Sequence, residues 1–416
     1  MVYNGIMEKT KIKTAIIGGG ASGLILAASL TQKGEDILVL ERNDRVGKKL
    51  SATGNGQGNI TNLAVTQTEY FSSSPAGGAR AHTIINDFDD KSLSAFFERL
   101  GVPLIADERG REYPAGWQAS ALTDALRFYI AGKGVRVQTN ARVNAIKKQG
   151  EKWEITAESG VFEAETVVLC TGGKAAKNFG TDGSAYALAT AFGHTVTPLT
   201  PSLVQLKTDT VHTKTLKGIR AADAGLTAVW TEKGKTQKTE LTGDIIFTDY
   251  GVSGDAVFRI SAFITDKLSS AVTLYIDFLP NFTEERLFTL LTEKRKTFKE
   301  LPQNELLGGV LNNQIGRAVL KRANGDIKEA VKLLKAFPLQ VTGTLGFDYA
   351  QVTKGGIPLN EADGNLQSKY AKGLYFAGEI LDIDGQCGGF NLQWAYSSAR
   401  TVAKAIEEKA GGQVCV

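Results

Sequence analysis

Cysteine and histidine are both scarce in this sequence. The cysteines are Cys170, Cys387 and Cys415, and the histidines are His82, His194 and His212. The cysteines form neither a CxxC pair nor a disulfide framework, which is typical of a reducing compartment, so we expect a cytoplasmic protein. The histidines lie far apart and lack metal-ligand spacing, so we expect no metal site. Surface or packing roles are favoured for all three over a catalytic role.

Net charge and long apolar runs are also limited. The formal net charge is +4 and charged residues make up 22% of the chain, so no basic stripe predicts a nucleic-acid partner. No apolar run reaches the roughly 18 residues that span a bilayer, and the predicted nucleotide fold starts at Ile12, which leaves no room for a signal peptide. We expect neither membrane association nor an obligate protein partner. The 416 residues, 42% of them apolar, are enough for roughly two to three domains.

The sequence does contain a glycine-rich turn between a strand and a helix. An apolar run that starts at Ile12 leads into GGGASG, after which apolar residues recur at helical spacing. Gly18 permits the turn, Gly20 allows a pyrophosphate to approach the backbone, and Gly23 allows close packing of helix and strand. A second buried strand ends at Glu41, near the position expected for a ribose-binding acid. This context favours dinucleotide binding over an ordinary glycine-rich turn.

The segment that follows, Arg42 to Asn62, has no apolar period and is predicted to be an extended loop. Its candidate ligand-binding residues are Lys48, Lys49, Gly54, Asn55, Gly56, Gly58, Asn59 and Asn62. Glycine N–H groups and these side chains can donate hydrogen bonds to phosphate or to a heterocycle edge. The alternative is a disordered polar loop, although long loops in compact domains are usually functional or mobile.

A second loop is predicted around the run ADERGREYPAGWQ. It carries Arg109, Arg111, Tyr113 and Trp117. These residues could line the mouth of a substrate site, and an ordinary charged connection explains them equally well.

The remaining pattern predicts one α/β domain built from both ends of the chain. The strand Gly160 to Leu169 stops at a second glycine turn, and Leu374 to Ala377 stops at Gly378-Glu379. Ligands of open α/β sheets bind where such strands end. We therefore expect residues 1–197 and 339–416 to form a discontinuous nucleotide-binding domain. Residues 198–281 are predicted to form an inserted β-rich, barrel-like domain, and residues 282–338 its helical lobe.

Several motifs together resemble a known bacterial family. They are GGGASG, TGNGQGNITN, CTGGK with GTDGSAYALATAFGH, FTDYGVSG and GLYFAGEILDIDGQCGGFNLQWAYSSA. The chain from about Ile12 to Ile406 is similar to the NAD(P)/FAD-dependent oxidoreductases that include aminoacetone-oxidase-like and 3-dehydro-bile-acid-reductase-like flavoproteins. The resemblance implies an α/β, Rossmann-like fold of the two-dinucleotide-binding-domain type, with FAD as cofactor and an inserted β-barrel and helical lobe.

The resemblance also implies which residues contact FAD. Gly18, Gly20, Ser22 and Gly23 would hold the pyrophosphate and Glu41 the adenosine ribose. Val143 would meet adenine through its backbone, Thr171 and Gly172 would close over the dinucleotide, Gly378 and Glu379 would hold the ribityl chain, and residues 388–391 would lie at the isoalloxazine. The full predicted set is Gly18, Gly20, Ala21, Ser22, Gly23, Glu41, Arg42, Lys49, Asn55, Gly56, Asn59, Val143, Thr171, Gly172, Gly173, Gly378, Glu379, Asp384, Gly388, Gly389, Phe390 and Asn391.

This sequence departs from the family pattern at five positions. They are Gln57, Gly58, Asp249, Asp255 and Cys387. The departures leave FAD binding in place but do not support the transfer of a catalytic residue or of a named substrate. From its own residues, FTDYGVSG offers Tyr250 as a candidate acid, because a phenol can hydrogen-bond a substrate carbonyl. A barrel turn with exposed polar residues is the equal alternative.

The expected activity is hydride transfer between flavin and a small organic substrate held between the flavin and the inserted domain. No second GxGxxG has the strand-turn-helix context, so we expect NAD(P)H to act as a transient reductant, or oxygen as the second substrate. The alternatives are a non-catalytic flavin-binding sensor and an FAD-dependent tRNA-modifying enzyme.

Overall fold

We describe the protein from a computed structural model, which covers residues 10–31, 36–68 and 70–409. Cys415 lies outside these residues. The chain divides into two compact units. The first, here called the nucleotide unit, is Met1–Leu199 with Val352–Val416, and the second, the barrel unit, is Thr200–Gln351.

The nucleotide unit is formed by the two ends of the chain. Its strands are β1 (Thr10–Ile17), β2 (Ile37–Leu40), β3 (Thr61–Asn62), β4 (Leu104–Ala106), β5 (Arg111–Pro114), β6 (Arg136–Gln138), β7 (Val143–Gln149), β8 (Lys152–Ala157), β9 (Gly160–Leu169), β17 (Val352–Lys354) and β18 (Leu374–Phe376). Its helices are α1 (Ala21–Leu30), α2 (Gly77–Asp87), α3 (Asp90–Arg99), α4 (Ala119–Gly132), α5 (Tyr186–Thr190) and α10 (Phe390–Lys409).

The central sheet of this unit brings the ends of four parallel strands to one edge. The described strands pair in the order β6-β2-β1-β9-β8-β7, and β18 pairs with the last residues of β9. β1 runs parallel to both β2 and β9, and β18 runs parallel to β9. All four residues of β2 are buried, as expected for a parallel strand covered on both faces. Gly18, Glu41, Cys170 and Ala377, which directly follow β1, β2, β9 and β18, therefore meet at one edge of the sheet.

Helix α1 begins at that edge and packs closely against the sheet. Nine of its ten residues, Ser22 to Leu30, are buried, and small side chains make this burial possible on every face.

A small separate sheet, in the order β3-β5-β4, lies in the same unit. Here the sequence prediction was wrong: Arg111–Pro114 is a strand, where a loop was expected, because it pairs on both sides with β3 and β4.

The barrel unit is built mainly from antiparallel strands and contains a helical segment. Its strands are β10 (Thr200–Ser202), β11 (Leu206–Thr208), β12 (Arg220–Glu232), β13 (Lys235–Phe247), β14 (Gly251–Ser253), β15 (Val272–Asp277) and β16 (Phe337–Thr344). Its helices are α6 (Asp255–Ile264), α7 (Glu284–Thr297), α8 (Asn313–Arg322) and α9 (Ile327–Lys335). Among the described strands, six close into a barrel in the order β11-β14-β13-β12-β15-β16.

The longest hairpin of the barrel, β12 with β13, turns through Lys233 and Gly234. Both residues have positive φ, 50° and 75°, which suits the two-residue turns that match strand twist. The barrel interior and the inner faces of α7, α8 and α9 share one apolar core, which includes Leu274, Leu291 and Phe337.

The unit boundary differs from the sequence expectation at its second crossing. We expected the α/β part to resume at residue 339, whereas residues 339–351 belong to the barrel unit. The physical reason is that β16 pairs with β15 and β11 and so completes the barrel. Other differences are local: α2 and α6 were not expected, and the segment 42–62 contains a 3-10 turn at Leu50–Gly56 and the short strand β3.

Two kinds of feature are absent from the residues that the structure describes. No helix in ranges 10–31, 36–68 and 70–409 is long and apolar enough to cross a membrane. Over the same residues, no three His, Cys, Asp or Glu side chains are grouped as a metal site would require.

Candidate functional site

The first glycine turn is sterically required. Gly18 has φ of +106°, and a Cβ there would lie 2.4 Å from the carbonyl oxygen of Cys170. A Cβ on Gly23 would lie 1.9 Å from the oxygen of Gly18. Gly20, the N-cap of α1, is different: a Cβ there meets nothing within 4 Å and no side chain caps the helix. Gly20 thus leaves the approach to the start of α1 open and uncapped by a side chain, as an anion site at a helix N-terminus needs.

Glu41 is tied to this turn. It is only 6% exposed, and its Oε2 accepts the N–H of Gly19 over 2.8 Å. Its Oε1 accepts the N–H and the Nδ2 of Asn43, over 2.8 and 2.7 Å. A carboxylate can accept further hydrogen bonds at both oxygens, so the geometry is compatible with a ribose contact. Glu41 therefore also braces the turn, a role that sequence reasoning missed.

Next to it, Arg42 is paired rather than directed at a ligand. Its Nη1 lies 2.8 Å from Asp182 Oδ1 and donates to the carbonyl of Gly180 over 3.2 Å. Burial raises the pKa of Asp182, but the hydrogen bonds from Arg42 and Ser184 outweigh it and hold that pKa well below its usual range. Arg42 thus fixes the loop that follows Gly173.

The predicted ligand-binding loop meets the C-terminal glycines. A Cβ on Gly389, whose φ is +101°, would lie 2.2 Å from the oxygen of Thr61, and Asn62 Nδ2 donates to the oxygen of Gly388 over 3.1 Å. The Nδ2 of Asn59 donates internally, to Thr61 and Glu112 oxygens. Its amide nitrogen therefore shapes the loop. Asn55 and Gly56 are exposed at the tip of the same loop.

A third cluster lies at the ends of β9 and β18. Lys49 Nζ lies 2.7 Å from Glu379 Oε2, and Glu379 Oε1 accepts the N–H of Thr353 over 2.8 Å. A Cβ on Gly173 would lie 3.1 Å from that same Oε1 and 2.4 Å from Thr353 Oγ1. The hydroxyl of Thr171 is buried and has no hydrogen-bond partner. Buried polar groups are normally satisfied, so this hydroxyl is one that a bound ligand would complete.

The turn after β18 joins this cluster to α1. Gly378 has φ of +78°, and a Cβ there would lie 2.7 Å from Ser22 Oγ. The Ser22 hydroxyl donates to the carbonyl of Ala377 over 3.3 Å. The N–H of Gly378 donates to Ser398 Oγ over 2.9 Å, and Trp394 Nε1 donates to the carbonyl of Gly378. Ala21, Ser22, Gly378 and Glu379 are therefore brought together.

The predicted isoalloxazine segment is held by its own side chains. Asn391 Oδ1 accepts the N–H of Gly385 and its Nδ2 donates to the oxygens of Gly385 and Gln386. Asn391 thus positions the loop that carries Gly388. Phe390 is buried with its ring edge-on to Tyr70.

Two further predicted residues have clear places in the same unit. Asp384 is fully buried, and its backbone pairs with Phe71. Val143 starts β7 and follows closely on Ala141, whose N–H donates to the carbonyl of Glu41.

The described cysteines differ in environment. Cys170 is buried beside the first glycine turn, and burial raises the pKa of its thiol to about 12, although a hydrogen bond with Ser22 opposes the shift. Cys387 is half-buried in the glycine loop. Burial raises the pKa of the nearby Tyr113 phenol, and Cys387 adds a smaller contribution in the same direction. Both thiols are unbridged.

The candidate acid, Tyr250, belongs to the barrel unit. It is half-buried in the turn between β13 and β14, and its carbonyl accepts the N–H of Thr208 over 3.0 Å. Its neighbour Asp249 is exposed and lies 2.7 Å from Lys217 Nζ. The hydrogen bond from Lys217, followed by coulombic attraction to the same lysine, lowers the pKa of Asp249.

Sequence reasoning did not find Asn43, Thr353 and Ser398, which complete these clusters. Thr353 holds Glu379, and its hydroxyl accepts the N–H groups of Lys174 and Ala175 over 2.7 and 2.8 Å. No local pattern marks these residues, because their partners are distant in sequence. Asn43, two residues after Glu41, is the one that spacing alone could have suggested.

Comparison with known proteins was made against families, curated sequences and solved structures. Residues 12–405 match the model of the family described as "HI0933-like protein Rossmann domain". The chain is 33% identical over 414 residues to a 3-dehydro-bile acid delta(4,6)-reductase of Clostridium scindens, covering 95% of this chain and 99% of that protein. It is 28% identical to a ribosomal RNA dihydrouridine synthase of Haemophilus influenzae, covering 95% and 98%. Among solved structures, a 3-ketosteroid-delta4-(5alpha)-dehydrogenase of Rhodococcus jostii RHA1 is 15% identical with a TM-score of 0.48, covering 96% and 99%.

Proposed function

Since this chain belongs to the HI0933-like Rossmann-domain family of FAD-dependent oxidoreductases, we propose that it reduces a carbon–carbon double bond conjugated to a carbonyl group in a small cyclic substrate. The observation that carries this proposal is the 33% identity to the Clostridium scindens reductase over nearly the whole of both chains. The name of that enzyme, 3-dehydro-bile acid delta(4,6)-reductase, specifies a ketone and two double bonds in conjugation with it. The Haemophilus influenzae name specifies saturation of the uracil ring, in which the double bond is also conjugated to a carbonyl. Both relatives thus act on one type of bond.

The residues at the strand ends fit an FAD molecule. The turn at Gly18 and Gly23 leaves no room for side chains of its own, while the space in front of Gly20 is open. The Thr171 hydroxyl lacks a partner. We assign the pyrophosphate to residues 18–23, the adenosine ribose to Glu41 and the flavin end to the loops at Gly56 and Gly388. Bound FAD supplies the hydride chemistry.

The chain's own groups orient the cofactor and control its surroundings. Lys49, paired with Glu379, has further ammonium N–H groups that can donate to a ligand at the ends of β9 and β18. Glu41 fixes the backbone of the phosphate turn through Gly19. Tyr250 remains our proposed proton donor. NAD(P)H is the proposed reductant, and oxygen is the alternative second substrate.

An anaerobic stopped-flow experiment tests this proposal. The purified holoenzyme is first reduced with NADH or NADPH and then mixed with a 3-oxo-4,6-diene bile acid. The matched control is the 3-oxo bile acid without ring double bonds. Reappearance of oxidised-flavin absorbance with the diene and not with the control is the expected result. Equal reoxidation by both compounds, or by neither while oxygen reacts rapidly, contradicts the proposal.

A second candidate substrate is a uracil base in RNA, as in the name of the 28%-identical relative. The net charge of +4 argues against it, because binding to a nucleic-acid backbone is dominated by basic residues. Salt-dependent retention of ribosomal RNA together with flavin reoxidation by that RNA would favour this candidate. A flavin-binding sensor is the third possibility, and steady-state turnover with any substrate excludes it.

A further inference from the structure

Three side chains stack on one another next to the predicted flavin end of the site. The rings of Tyr113 and Trp117 lie 4.7 Å apart between centroids with an angle of 33° between their planes. The guanidinium carbon of Arg111 lies 5.8 Å from the centroid of the Tyr113 ring. Tyr113 is buried, whereas Trp117 is exposed. We call this pair, in which Trp117 supplies the accessible ring, the aromatic platform.

Two loops that we assign to the cofactor lie against Tyr113 and Arg111. A Cβ on Gly54 would come within 3.5 Å of Tyr113 Cε1, and a Cβ on Gly388 would come within 3.7 Å of the Arg111 side chain. All of these residues belong to the nucleotide unit. The platform is therefore adjacent to the place where a substrate must meet the flavin.

Trp117 adopts an unusual conformation for so large a residue. Its φ is +53°, in the left-handed region that bulky side chains rarely adopt. Its N–H donates to the carbonyl of Pro114 over 2.8 Å, which closes a tight turn before α4. The residue is 42% exposed, so the indole contributes little to the core. Glycine or asparagine would suit this turn better, and a strained, exposed indole points to a binding role.

Arg111 is held firmly in place. Its Nε and Nη2 lie 2.7 and 2.6 Å from Asp107 Oδ2. The other oxygen of Asp107 accepts the N–H groups of Arg109 and Arg111, over 2.9 and 3.0 Å. Two guanidinium nitrogens thus share one oxygen of Asp107, and this contact restricts the orientation of the guanidinium. A fixed positive charge thus lies at the edge of the aromatic platform.

We propose that Trp117, backed by the buried ring of Tyr113, stacks against the planar unsaturated ring of the substrate while Arg111 places its positive charge beside the ring carbonyl. This inference rests on the proposed function for its substrate class. Conjugation keeps a ring flat, whereas saturation makes it pucker, so a stacking surface binds the conjugated ring in preference to its reduced form. Loss of one ring-stacking contact weakens binding by roughly tenfold to a hundredfold.

Tryptophan fluorescence provides a test that needs no turnover. Trp153 and Trp394 are buried and Trp230 is partly buried in the barrel core. Iodide quenching of the oxidised holoenzyme therefore reports mainly on Trp117, and the difference from Trp117→Phe isolates its signal. Titration with the 3-oxo-4,6-diene bile acid is expected to protect Trp117 from iodide. The saturated 3-oxo acid is expected to protect it much less.

Variants then separate binding from folding. Trp117→Ala should weaken diene binding roughly tenfold to a hundredfold, measured by perturbation of the flavin spectrum, with FAD affinity unchanged. Trp117→Phe should stay within a few-fold of wild type. Trp117→Gly should lose binding without a lower melting temperature, because glycine relieves the left-handed backbone. Phe128→Ala, which removes an exposed aromatic of α4 that is 71% exposed, is the matched control and should change nothing.

The outcomes distinguish the platform from the proposed function. If wild type reduces the diene and Trp117→Ala binds it normally, the platform is wrong and the function stands. If the diene protects Trp117 but is never reduced, the platform stands and the function is wrong. The second arm of the iodide experiment compares uridine with dihydrouridine. Protection of Trp117 by uridine and by no other compound assigns the flat ring to a nucleobase. Absence of protection by either flat ring overturns the platform, as does loss of FAD in Trp117→Ala.

Discussion

Glu41 Oε2 accepts the backbone N–H of Gly19 over 2.8 Å. Gly19 lies just after β1, and Glu41 directly follows the neighbouring strand β2. This contact links the candidate ribose-binding acid to the turn that would hold the pyrophosphate. Two parts of the predicted cofactor site therefore depend on one carboxylate.

The first prediction concerns this carboxylate. Glu41→Ala removes a charged acceptor, and hydrogen bonds to charged groups contribute about 1.5–3 kcal/mol. We expect FAD dissociation constants to rise by about tenfold or more, as measured by fluorescence of released flavin. Glu98→Ala, at an exposed position of α3, is the control and should retain FAD fully. Full retention by Glu41→Ala would remove the ribose contact from our assignment.

The second prediction uses two glycines of the same turn. In Gly20→Ala the new Cβ meets no protein atom within 4 Å, so the apoprotein should melt normally while FAD binding is lost or weakened, because the Cβ occupies the approach to the helix N-terminus. In Gly23→Ala the Cβ would lie 1.9 Å from the Gly18 oxygen, so the apoprotein itself should be destabilised. Calorimetry of both apoproteins with and without FAD measures the contrast. Normal FAD affinity in Gly20→Ala would place the phosphates elsewhere.

Part of the fold and of the candidate site could be predicted from the sequence. The strand-turn-helix pattern around Gly18 and the barrel with its helical segment follow from periodicity and turn residues, because those signals are local. The closure of the barrel by β16 was not predictable, since it depends on pairing with β11, which lies far earlier in the chain. For the same reason sequence reasoning found Glu379 but not Thr353, which holds it from a distant part of the chain. Asn43, which holds Glu41 from only two residues away, was missed although its spacing could have suggested it.

The third prediction is that Cys387 is not an obligatory redox centre. A thiol relay needs a second thiolate, and burial raises the pKa of the Cys170 thiol to about 12. Cys387→Ser should therefore retain FAD and normal rates of flavin reoxidation by substrate in stopped-flow experiments. Cys170→Ser is the matched variant. Loss of reoxidation in Cys387→Ser with FAD still bound would show that the thiol takes part.

The fourth prediction concerns stability and pH at His194. Its Nδ1 lies 3.0 Å from Glu361 Oε2 and its Nε2 lies 2.6 Å from Ser368 Oγ. Burial lowers the pKa of His194 below its ordinary value of 6.5, although Glu361 opposes the shift. Below that value the unfolded chain binds a proton that the folded chain resists, so stability should fall as pH falls from about 7 toward 5. The free energy of unfolding, measured with denaturant, should depend less on pH in His194→Gln than in wild type. His82→Gln should behave as wild type. An equal slope in all three proteins would contradict it.

The last prediction concerns Tyr250, whose phenol we propose as the proton donor to substrate. The turn that carries it is ordered by its own contacts: the carbonyl of Tyr250 accepts the N–H of Thr208, and the N–H of Thr248 donates to the carbonyl of Gly251 over 2.9 Å. These contacts use backbone atoms, so removal of the hydroxyl should leave the turn intact. Because a positioned proton donor contributes about 10²–10⁴-fold to a rate, Tyr250→Phe should slow the flavin half-reaction with substrate substantially. Its FAD absorbance spectrum should be unchanged. Tyr275→Phe, on the exposed face of β15 in the same barrel, is the matched control and should react at the wild-type rate. Wild-type rates in Tyr250→Phe would remove this residue from the mechanism and favour a purely structural role for the turn.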